Sequence, residues 1–120
     1  MAGTNDLAWW TVEQPAEVAD RLAGLVDHLL SWQPTVVVLV ATIPPLSPEP
    51  VPPDDRDRAE LARQYDDEIR ARFAGCGRAA VADVEAILTV ADLYDGVHPD
   101  AAAHDRIADV WYDALRPRLP

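Results

Sequence analysis

The residues best able to do chemistry in this chain of 120 residues are gathered in Asp92-Leu93-Tyr94-Asp95-Gly96-Val97-His98-Pro99. An acid three residues before a histidine, with glycine between them and proline straight after, can bend so that its carboxylate meets one ring nitrogen and leaves the other free. That is the acid–histidine half of a hydrolytic triad, in which the acid fixes the tautomer and the free nitrogen carries protons. At the opposite end, Gly3-Thr4-Asn5-Asp6 sets an amide and an acid in a turn, where such side chains also satisfy backbone groups.

The elements that must position these residues alternate between helix and strand. Thr11 and Gln14 fit a capping box, and Val18, Leu22, Leu25, Val26, Leu29 and Leu30 recur at helical spacing, so a helix is expected over about residues 13–31. Thr35 to Ala41 is a β-branched run with the composition of a strand covered on both faces. Six prolines then fall within Pro44 to Pro53, a segment that can neither continue a helix nor donate to a ladder and is expected to be an extended loop. Leu61, Tyr65, Ile69 and Phe73 predict a second helix from about 57 to 74; Asp54/Arg58, Asp66/Arg70 and Glu68/Arg72 set an acid four residues before an arginine, the last two pairs within the helix. Gly75-Cys76-Gly77 stops it. Ala79 to Val84 reads as a second buried strand, and Asp100 is placed to cap a last helix with Ile107, Ala108, Trp111 and Leu115 on its core face.

Strand–helix alternation predicts parallel strands, and sites in such sheets form beyond the carboxyl ends of the strands. The Asn5 turn, the proline loop and the Asp95–His98 loop each follow a strand on this reading, the first of them a stub at residues 1–2. Ser31 and Cys76 precede strands and fall at the opposite edge. Ser47 lies on the correct edge, but a proline loop lacks the tight strand-to-helix elbow that holds a nucleophile. Trp9 and Trp10, beside Asn5, are candidates either to line an acyl pocket or to cover the core. Asp6 and Asp92 are expected to hold loops by bonding backbone N–H groups. His98, Asp100, His104 and Asp105 read as a helix start with its cap rather than as metal ligands.

Composition narrows the function classes. A net charge of −11 disfavours nucleic acid and anionic membrane. All ten basic residues are arginine, which removes P-loop and Schiff-base lysine chemistry. Cys76 is the only cysteine, so an internal disulfide and any multi-cysteine metal site are excluded. The longest apolar run, Val36 to Ala41, is far too short to span a bilayer, and no signal segment opens the chain, which leaves the compartment open.

GTND near one end and DGVHP near the other resemble the last two motif blocks of the SGNH (GDSL-type) hydrolases, and the order of elements between them also fits. The resemblance implies a flavodoxin-like three-layer α/β fold with a parallel sheet. It implies hydrolysis of a small-molecule carboxylic ester through an acyl-serine, with no metal or organic cofactor. His98 would be the general base, Asp95 its orienting acid and Asn5 a side-chain donor to the oxyanion. The substrate-side candidates are Trp9, Trp10 and Ser47.

Two family elements have no match in residues 1–120: the serine motif and the glycine of the second block, both of which normally precede GxND. The chain is therefore expected to be one partial domain, the carboxyl-terminal part of such a hydrolase with its first strands missing, and inactive alone. Losing those strands would expose a sheet edge and invite self-association. The competing reading is a non-catalytic remnant that binds a ligand or partner.

Overall fold

A computed structural model describes residues 2–9 and 13–119. In chain order it contains α1 (Thr4–Ala8), α2 (Pro15–Trp32), β1 (Val38–Ala41), β2 (Pro50–Val51), β3 (Arg56–Asp57), α3 (Arg58–Phe73), β4 (Ala79–Ala82) and α4 (Ala101–Leu115). β1 and β4 pair in parallel with Val38 opposite Ala79 and Ala41 opposite Ala82. β2, within the proline segment, pairs antiparallel over two residues with β3, just after it, so that loop is pinned rather than simply extended.

Side-chain alternation along the parallel strands divides the core into two layers. Val38, Val40, Ala79 and Val81 face α2 and α3, whereas Ala41 and Ala82 face α4 through Ala103 and Ile107. This is the α/β/α layering expected of a parallel sheet. The i,i+4 stripe of α3 is buried throughout, with Leu61, Tyr65, Ile69 and Phe73 all in the core. Each such apolar side chain contributes about 1.5–3 kcal/mol when fully buried.

The strands are shorter than their apolar runs. Thr35 to Val37 lie outside the ladder, because β4 begins only at Ala79, after the Gly75–Gly77 turn. Asp83 and Val84 leave it where the Val84 N–H turns back to the Ala82 carbonyl at 3.0 Å. Ala2 is not in a strand either. The first long helix is capped by Gln14, whose N–H donates to the Glu17 carboxylate at 2.8 Å; Thr11 lies outside the described residues. On α4, Ala108 and Leu115 are exposed, and Ala103, Val110 and Ala114 join Ile107 and Trp111 instead. The helix meets the sheet one position round from the face expected.

The edge of β1 away from β4 has no partner strand among the described residues. A cavity of about 220 Å³ runs along it, walled by Leu22, Leu25, Val26 and Leu29 of α2 and by Trp111 of α4, with Ala2 at its border. Apolar helices therefore overhang the strand edge on both faces of the sheet.

Asp66 departs most from its expected role. Rather than pairing with Arg70 on the surface it points inward, 0% exposed, and its Oδ1 accepts the Ile43 N–H at 2.8 Å. Its Oδ2 has no partner among the described residues. Burial pushes its carboxyl up from 3.8 to about 8, against the opposing pull of the Ile43 N–H and of Arg70. Arg70 turns to Asp83 and Glu85, at 2.7 and 2.6 Å.

An acid whose folded pKa is raised favours the folded state fully below its unfolded pKa, and that contribution is lost as pH rises through the folded value. Urea midpoints of the wild type and Asp66→Asn are thus expected to diverge between about pH 4 and about pH 8, with the wild type falling relative to the variant. Parallel midpoints would contradict this protonation state.

Candidate active site

The Asp95–His98 loop is built from its own main chain. The Tyr94 N–H donates to the His98 carbonyl at 3.0 Å, and Leu93 bridges Pro99. Asp95 Oδ1 accepts the N–H groups of Val97 at 3.0 Å and His98 at 2.8 Å. Its Oδ2 lies 2.7 Å from His98 Nδ1. The backbone N–H of His98, then its ring, then the Val97 N–H hold the Asp95 carboxyl down from 3.8 to about 2. It is therefore ionised at neutral pH, which favours the tautomer with hydrogen on Nδ1 and leaves Nε2 as an acceptor. The His98 side chain is 55% exposed, and the Tyr94 ring stacks on it with centroids 5.7 Å apart.

Gly96 makes this turn possible. Its φ of +83° is left-handed, and a Cβ there would collide with the Ser47 side chain and come within 3.3 Å of Arg58 Nη2. The Ser47 N–H donates to the Gly96 carbonyl at 2.9 Å. Through this contact the proline loop that follows β1 meets the acid–histidine loop that follows β4.

Asn5 sits in the first turn of α1, exposed, and among the described residues its side chain makes no hydrogen bond. The turn before it depends on Gly3, whose φ is +111° and whose missing Cβ would lie 2.7 Å from Tyr65 Cζ. The Tyr65 hydroxyl donates to the Ala2 carbonyl at 2.8 Å, and burial raises its pKa to about 12, so it stays a donor. Trp9 is 54% exposed and covers little of the core. Arg58 lies over its ring, 5.9 Å from the centroid. Trp10 lies outside the described residues.

The remaining candidates fall as follows. The Ser47 hydroxyl accepts from Arg58 Nη2 at 2.5 Å. Asp6 pairs with Arg21 at 3.1 Å instead of capping backbone groups. Asp92 accepts the Thr89 N–H at 2.7 Å and pairs with Arg106, tying the loop to α4. Asp100 caps α4 through the Ala103 N–H at 2.8 Å. Cys76 is half-buried in the turn before β4, at the amino edge of the sheet. No three His, Cys, Asp or Glu side chains among the described residues are grouped to hold a metal. Nor is any described helix long and apolar enough to cross a membrane.

Two participants escaped the sequence reading. Tyr94 was visible as an aromatic inside the motif, four residues before His98. Arg58 carried no local signal, since its partners are far away in the chain and its expected mate Asp54 is not among them.

Gly96→Ala is expected to destabilise the fold by about 1–3 kcal/mol, the cost of a side chain held in a left-handed conformation with a steric clash added. Urea unfolding measures it. In the double variant with Ser47→Gly, only the steric part is expected to return, since the φ strain remains.

No curated protein sequence gives a significant match. Among solved structures, a Clostridium thermocellum family 3 carbohydrate esterase superimposes with a TM-score of 0.61 at 21% identity, over 80% of this chain and 45% of that one. The chain thus spans less than half the length of that structure, and the likeness is one of fold. Residues 1–106 match the family described as GDSL-like lipase/acylhydrolase. With nearly the whole chain matched, from GTND through DGVHP, this protein belongs to the GDSL-like lipase/acylhydrolase family.

Proposed function

We propose that these residues supply the base and an oxyanion donor of a serine ester hydrolase. The reading rests on the 2.7 Å contact between His98 Nδ1 and Asp95 Oδ2. His98 Nε2 would take the proton of a serine hydroxyl as that oxygen attacks the ester carbonyl, and return it to the departing alkoxide. In the second half it would activate water against the acyl-serine. Asp95 stabilises the imidazolium formed in each half. Asn5 donates its amide hydrogen to the developing oxyanion, a contact worth about 2.7–4 kcal/mol in such sites. Trp9 and Ser47 lie on the segments flanking this site and are its candidate substrate contacts. The serine comes from polypeptide other than residues 1–120, which carry no GDS-type motif.

Hydrolysis of a short-chain p-nitrophenyl ester tests both halves of the proposal. Residues 1–120 and their His98→Ala variant are expected to be equally inert, while in polypeptide that also carries the serine motif His98→Ala lowers kcat by on the order of a millionfold. A His98-dependent rate from residues 1–120 alone would overturn the assignment of the nucleophile. Full activity without His98 in the longer polypeptide would overturn the base.

The cavity along the free edge of β1 favours a second reading, a module that binds another chain through that edge. On this reading the 13.2 kDa chain self-associates, and its apparent mass in light scattering after size exclusion rises with concentration. A monomer at every concentration would refute self-association.

A further inference from the structure

Arg58, the first residue of α3, is 3% exposed although charged. A buried charge survives in a fold when its donors are matched, and the matches here are unusual in where they lead. Nε donates to the Ser47 carbonyl at 2.8 Å and Nη2 to the Ser47 hydroxyl at 2.5 Å. Nη2 also pairs with Glu49 at 2.8 Å. The guanidinium lies over Trp9, on the segment that carries Asn5. Ser47, gripped at two atoms, passes its own N–H to the Gly96 carbonyl at 2.9 Å.

That carbonyl and the Val97 N–H belong to one peptide group, and a peptide group is planar. Fixing the direction of the Gly96 oxygen therefore fixes the direction of the Val97 N–H, which donates to Asp95 Oδ1 at 3.0 Å. The other oxygen of the same carboxylate holds His98 Nδ1. We propose that Arg58 is a positioning residue for the acid–histidine pair, aiming the Asp95 carboxylate through Ser47 and the Gly96–Val97 peptide plane. The proposal rests on the reading of His98 as the general base. An Arg58 that merely anchored α3 or the proline loop would stabilise the fold without affecting the ring of His98, and this difference is measurable.

The test is nuclear magnetic resonance of the ¹⁵N-labelled chain, reading the His98 ring tautomer, amide exchange at Val97 and His98, and the melting temperature. In Arg58→Met, exchange at the two amides is expected to rise by about tenfold or more, as loss of one hydrogen bond allows. The ring is expected to drift from the single Nδ1–H tautomer toward a mixture. Arg58→Lys, a point charge without the fork, should fall between the two.

Ser47→Pro deletes the N–H that reaches Gly96 while leaving Arg58 in place, and should reproduce the Met phenotype. Ser47→Ala keeps that N–H and should stay near wild type. A lowered melting temperature with unchanged tautomer and exchange in Arg58→Met would overturn the proposal. If Arg58→Met does not fold, an unchanged ring and unchanged exchange in Ser47→Pro would overturn it equally. Because the ring is read directly and not through turnover, failure of the esterase reading leaves these outcomes distinct.

Discussion

Burial of Leu61, Tyr65, Ile69 and Phe73 fixes α3 against α1, α2 and β4, and both halves of the candidate site hang from that helix. Its first residue grips the proline loop and, through it, the Asp95–His98 turn. Two turns further on, Tyr65 fills the space against Gly3 and holds the Ala2 carbonyl. The spacing between the His98 turn and the Asn5 segment is thus set by a helix, whose rise per residue is nearly invariant. Loops alone could not hold two such segments in register, since they store little energy against displacement.

The acid–histidine turn obtains order without burial. Both Asp95 and His98 face solvent, yet the carboxylate is committed to three donors within four residues of chain. Short-range hydrogen bonds of this kind close small rings and cost little loop entropy. They also leave the His98 ring more than half exposed. Asp66 shows the opposite arrangement: wholly buried, with one oxygen satisfied, it resolves its electrostatic problem by remaining protonated. One chain thus drives two aspartates in opposite directions by environment alone.

Much of the fold was legible in the sequence because it is periodic. The stripe of α3, the β-branched run before the proline segment and the glycine stop at Gly75 all act over a few residues, and each appears as an element. Strand ends were harder, because a ladder ends where its partner ends, as Thr35 to Val37 illustrate. The inward turn of Asp66 was hidden by a rule that is correct for exposed helix faces, since i,i+4 spacing cannot tell which acid faces the core. The contact between Asp95 and His98 was readable as a local motif. Arg58 was not, because its role depends on residues 11 positions before it and some 40 after it being folded against one another.

One consequence lies on the far side of the molecule. Cys76 is the sole thiol in a chain with no lysine, and it occupies the amino edge of the sheet, whereas the Asp95–His98 turn leaves the carboxyl edge. Thiol coupling at this one position would orient every immobilised copy alike, with the histidine turned away from the support and toward whatever flows past.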